Sequence, residues 1–102
     1  MATHDLRDLN WKNGANNHKF TSSGTTNDEI QIPNWAKLVT VQPVGQAIWF
    51  SYVGTEGAAP SSHAFPQAAS SIIQYNPVQT RTDRSIFLAS QAGTATIYLI
   101  FE

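Results

Sequence analysis

The sequence predicts an all-β fold: an antiparallel β-sandwich or small jelly-roll of six to eight strands with an extended N-terminal arm. Three observations point there. From Glu29 onward the apolar residues recur with a period of two, the repeat of a strand. Turn signals at Pro33-Asn34, Val44-Gly45, Asn76-Pro77 and Gly93 cut the chain into short pieces. No convincing helical pattern follows residue 12.

The predicted arm spans residues 1–28 and the sandwich domain residues 29–102. Leu6 and Leu9 stand three apart behind Thr3 as an N-cap, which suggests a helical turn or two anchored by Leu6, Leu9 and Trp11. A tether rich in Asn, Thr, Ser and Gly follows, with a weak strand signal at His18 to Ser22. Such an arm either folds back on its own domain or docks on a partner through Leu6, Leu9 and Trp11.

In the sandwich domain, Ile30 and Ile32 mark a first strand that Pro33-Asn34 breaks. Lys37 to Pro43 alternates next, and Val44-Gly45 turns the chain into Gln46 to Val53. Gly54 to Ser62 is a loop. His63 to Pro66 reads as a short edge strand, since proline cannot donate to a ladder. Ser70 to Tyr75 and Val78 to Thr80 follow. The last stretch, SIFLASQAGTATIYLIFE, reads as a hairpin turning at Ser90 to Thr94, with Gly93 in the left-handed conformation.

Two of these segments are apolar on both faces. In QAIWFSYV, Ile48, Phe50 and Tyr52 oppose Ala47, Trp49 and Val53. In the last stretch, Ile86 and Leu88 oppose Phe87 and Ala89, while Ile97, Leu99 and Phe101 oppose Tyr98 and Ile100. One face fills the core; the other needs a cover, from the arm, another copy or a different protein. The expectation is a homo-oligomer, self-associating through outward residues such as Trp49, Tyr98 and Ile100.

Composition narrows the function classes. The chain has 102 residues, enough for one domain, and 13% of them are charged, about half the usual ~25%. That suits a surface that makes contacts, because interface cores are depleted in charge. The six basic residues are scattered, so no phosphate-tracking groove and no nucleic-acid partner is expected. With no cysteine there is no disulfide framework or thiolate metal site. No run approaches membrane-spanning length and nothing resembles a signal peptide, so the chain reads as soluble and made in a cytoplasm.

No motif names a chemistry. His4, His18 and His63 lack the spacing of a metal site. Asp28 and Glu29 are adjacent, so on a strand their carboxylates point to opposite faces. There is no Gly-x-Ser-x-Gly elbow, and GTEGAAP lacks the Lys-Ser/Thr of a phosphate loop. The expectation is no catalysis, no metal and no cofactor. Among the aromatics, Trp35 in PNWAK is the candidate for stacking a sugar ring, although structural roles account better for the aromatics as a group.

The combination IQIP, AKLVTVQPVGQAIWFSYVG, HAFP and the terminal SIFLASQAGTATIYLIFE resembles small all-β virion proteins of tailed bacteriophages, most of all the head decoration (cement) type. The resemblance covers Glu29 to Glu102 and is one of texture, with no site motif to carry over. It implies a non-catalytic virion protein, often trimeric, that binds the major capsid protein or another virion protein and reinforces contacts between capsid subunits. The alternative is a carbohydrate- or receptor-binding β module associated with a tail or fibre.

Overall fold

The computed structural model describes residues 3–8, 16–77 and 84–102. They form nine strands: β1 (Thr3–Asp5), β2 (Asn17–Thr21), β3 (Asp28–Gln31), β4 (Val39–Val44), β5 (Ile48–Ser51), β6 (Phe65–Gln67), β7 (Ile73–Tyr75), β8 (Ser85–Ser90) and β9 (Thr96–Phe101). One sheet has the order β1-β3-β8-β5-β6 and the other β2-β9-β4-β7. Every pairing is antiparallel except β1 with β3.

The pairings nest: β2 with β9, β3 with β8, β4 with β7, β5 with β6. A long antiparallel ribbon with its closed end at β5–β6 would pair this way. Rolled up, the ribbon drops its strands into two sheets, and β4–β9 and β5–β8 pairings close each sheet. This is a jelly roll of eight strands, with β1 added along the edge of β3.

Alternation explains the core. Ile30, Ile48, Phe50, Ile86 and Leu88 point inward from the first sheet. Val39, Val41, Ile97, Leu99 and Phe101 point inward from the second, and all ten are essentially inaccessible. The rings of Phe50 and Tyr75 stack across the sandwich with centroids 3.6 Å apart. Buried Gln67 ties β6 to the opposite sheet: its amide Nε2 donates to Val41 O at 2.8 Å, and its Oε1 accepts from the Tyr75 hydroxyl at 2.9 Å. Burial, with Tyr52 nearby, pushes the Tyr75 phenol up to about 12, so it remains a donor.

Several expectations change. Residues 3–5 are a strand rather than the start of a helical turn: Thr3 and Asp5 face out while His4 faces in, a period of two that outweighs the Leu6–Leu9 spacing. No extended arm is seen along residues 3–8. Leu6 is buried with the core, and its N–H donates to Gln31 O at 2.9 Å. Leu9, Trp11 and the expected strand at Val78 to Thr80 lie outside the described residues. Strands β1 and β2 thus bring residues before 29 into both sheets.

The last stretch is no hairpin. β8 and β9 lie in different sheets, each between two other strands, and the segment between them crosses the sandwich. Gly93 does adopt the left-handed conformation, with φ 60°. Ser90 Oγ shapes the start of the crossing by donating to Ala92 O at 2.6 Å.

β8 is buried on both faces, and the loop after β5 covers Phe87 on its outer one. Asn27 N–H donates to Ala58 O at 2.8 Å and Gly57 N–H to Asn27 O at 2.9 Å, which pins that loop to the start of β3. Gly54 then lies against the Phe87 ring. A Cβ at Gly54 would come 2.9 Å from Asn27 Nδ2 and 3.2 Å from Phe87 Cγ. Gly54→Ala must therefore lift the loop or tilt Phe87. The expected loss is about 1–3 kcal/mol in urea unfolding, the usual cost of overpacking.

Candidate functional site

Three places carry chemistry or exposed apolar surface. The first is the outer face of the four-stranded sheet. Strand register sets its rows: Asn17, Ile100 and Thr40; Lys19, Tyr98 and Gln42; Thr21, Thr96 and Val44. Gln74 sits beside Thr40, and Ile72 precedes the residue paired with Val41. The inward residues of β9 are sealed, but Tyr98 is 40%, Ile100 44% and Ile72 65% exposed. Lys19 supplies the one charge in these rows, and its ammonium lies 5.4 Å from the centre of the Tyr98 ring. The face is nearly uncharged, with apolar side chains among Thr, Asn and Gln.

Trp49 does not share this surface. It lies on the outer face of the other sheet, half-buried between Ala89 and Pro66. Of the three residues expected to mediate self-association, only Tyr98 and Ile100 come together.

The second place is a cleft of about 450 Å³ lined by Asn16, Trp35, Lys37, Phe101 and Glu102. Main-chain bonds fix its walls. Phe101 N–H donates to Asn16 O at 2.7 Å, and Lys37 and Leu38 N–H donate to Glu102 O at 2.6 and 2.9 Å. The turn carrying Trp35 is closed by Ala36 N–H donating to Pro33 O at 3.1 Å. The Arg84 guanidinium donates to the carbonyls of Pro33, Asn34 and Ala36 and pins that turn from below. Trp35 is half-buried and packs against the core while lining the cleft.

The third place is an arrangement that sequence spacing does not reveal. His4 on β1 and His18 on β2 face each other across the edge of the sandwich, with His18 Nε2 3.0 Å from His4 Nδ1. Both rings pack on Phe20, at centroid distances of 4.4 and 5.6 Å. Asp28 lies on the inner face of neighbouring β3, fully buried; its Oδ2 accepts from Ser23 N–H at 2.9 Å. Asp28 Oδ1 and His4 Nε2 are both buried without a hydrogen-bond partner. The available signal was His18 and Phe20 sharing a face at period two. Among the described residues no group of three or more histidines and acids is placed to hold a metal ion.

Besides the buried Asp28, two acids have side-chain partners. Asp5 is exposed and bound by the Arg7 guanidinium, which holds its carboxyl at about 2. Glu29 accepts from Ser85 Oγ at 2.8 Å. Neither is a shielded acid of the kind general acid catalysis needs. Comparison with known proteins finds no matching family model, and no curated protein or solved structure that is significantly similar.

The histidine pair has a pH consequence. A bond between two imidazoles needs one nitrogen that accepts, so the two rings cannot both be charged and keep it. Burial lowers the values of both from 6.5; the Asp28 charge opposes this at His4, and His4 adds to it at His18. The unfolded chain therefore takes up protons at a higher pH than the folded chain. Stability is complete above 6.5 and is lost as the pH falls through the folded values. The urea midpoint should fall between about pH 7 and pH 5. A His4→Phe/His18→Phe double variant, which keeps the ring packing, should show a flatter profile over that window; an unchanged slope would assign the effect to other groups.

Proposed function

We propose that the chain is a non-enzymatic structural protein of a virion, most like a capsid decoration protein, that works by association. The observation that carries this reading is the nearly uncharged outer face of the four-stranded sheet. A desolvated charge is costly in an interface unless it is paired, and here only Lys19 would need a partner or a route to the rim. Tyr98 is the anchor, because a tyrosine offers a large apolar area together with a hydroxyl that can bond across the contact.

Size decides what kind of association follows. Four strands spaced ~4.8 Å apart, averaging five residues at ~3.3 Å per residue, project roughly 320 Å². A standard interface buries ~800 Å² per partner. The sheet face alone falls short, so a stable assembly adds a second contact. That favours a closed ring, such as a trimer, or a seat on a capsid surface where neighbouring subunits contribute. The virion assignment itself is supported by the resemblance of Glu29 to Glu102 to phage decoration proteins.

Light scattering on a sizing column should give the mass of a closed oligomer. Tyr98→Glu/Ile100→Glu should convert it to a monomer with unchanged far-ultraviolet circular dichroism, since both side chains are already exposed. A wild-type monomer would overturn association between copies. Mass spectrometry of density-purified virions from the source then tests location. A decoration protein is present at many copies per particle, and its absence withdraws the virion reading.

A further inference from the structure

We infer that the cleft beside Trp35 is a binding site for a neutral saccharide. The inference is independent of association through the sheet face, because the cleft sits at the end of the sandwich. Its volume, about 450 Å³, falls within the ~300–1,000 Å³ of small-molecule sites.

Its chemistry selects the ligand class. Among the described residues the lining holds the Lys37 ammonium, the Glu102 carboxylate and the Asn16 amide beside the half-exposed Trp35. Among the described residues one ammonium is set against at least one carboxylate, so the cleft offers no net positive charge to attract an anion. They do offer a donor and an acceptor side by side, and the amide offers both. A hydroxyl is itself donor and acceptor, so a polyhydroxylated ring matches such a set without leaving a buried charge unpaired. The half-exposed Trp35 ring supplies the complementary apolar wall for the C–H face of a pyranose, backed by the buried Phe101.

The site is also built rather than fortuitous. Trp35 stands on a turn whose three carbonyls are held by Arg84. Lys37 and Glu102 are locked to one another through the main chain, and Asn16 is tied to Phe101 in the same way. The main chain of the cleft is thus already ordered, which lowers the entropic cost of holding a weak ligand to that of the exposed Lys37 and Glu102 side chains.

The test is an array of neutral and acidic glycans probed with the purified protein, followed by 15N-edited NMR titration with the best neutral binder. We expect a neutral glycan to bind with Kd on the order of 1 mM or tighter for the monovalent ligand, shifting the Trp35 indole and the Lys37 and Glu102 amides. Lys37→Ala and Glu102→Ala alter exposed side chains and leave the core intact; each should weaken binding about tenfold. Trp35→Ala should abolish it, with circular dichroism reporting whether the fold survives. Absence of any neutral glycan binding overturns the inference. So does binding that persists at full strength in both Lys37→Ala and Glu102→Ala, or a clear preference for acidic glycans. The Tyr98→Glu/Ile100→Glu variant should retain sugar binding, which separates failure of this site from failure of the association face.

Discussion

The structure depends on the crossing from Gln91 to Ala95, which carries the chain from the middle of one sheet to the middle of the other. Because β8 and β9 lie in different sheets, Ile86 and Leu88 can face Ile97, Leu99 and Phe101 across the core. Both strands are central, so each must satisfy two neighbours. That demand fixes β3 and β5 around β8, and β2 and β4 around β9. Around these four pairings, β6 adds beside β5, β7 beside β4 and β1 beside β3.

The outer faces of these two central strands meet different fates. The loop after β5, pinned by Asn27, covers Phe87. Among the described residues Tyr98 and Ile100 have no such cover. The body therefore presents one outer sheet face partly closed by its own loop and another left open, and the open one is poor in charge. The association face, the Trp35 cleft and the histidine edge use different side chains, although all three draw on β2 or its flanking residue Asn16.

Much of this was legible in the sequence, and the failures share a cause. Period-two alternation gave the all-β class, the inward sets of β5, β8 and β9, and the two-sided character of the last stretch. The turn at Gly93 was also legible, but a turn signal reports only that the chain reverses. A hairpin within one sheet and a crossing between two sheets use the same local residues, so the partners of β8 and β9 could not be read. For the same reason Trp49 and Tyr98 looked like one surface. Leu6 and Leu9 suggested a helical turn because a spacing of three fits a helix, whereas Thr3-His4-Asp5 alternates too briefly to compete. The His4–His18 contact joins two edge strands of opposite sheets, and only the three-dimensional register brings them together. Of the cleft residues, Trp35 could be singled out in the sequence, but Asn16, Phe101 and Glu102 become its neighbours only through pairing.

The nested ribbon has a kinetic consequence. Loop-closure entropy rises with the length of chain enclosed, so the pairing of β5 with β6 is the least costly of the nested set to form. The pairing of β2 with β9 encloses nearly the whole sandwich and costs most. Contacts of such long sequence separation place this chain with the slowly folding β-sandwiches, on a timescale of roughly milliseconds to seconds. While β2 is still unpaired, the edge of β9 carries open backbone donors and acceptors beside Tyr98 and Ile100. A nascent chain thus passes through a form that is stickier than the native one, and local concentration during synthesis governs how much of it reaches the closed roll.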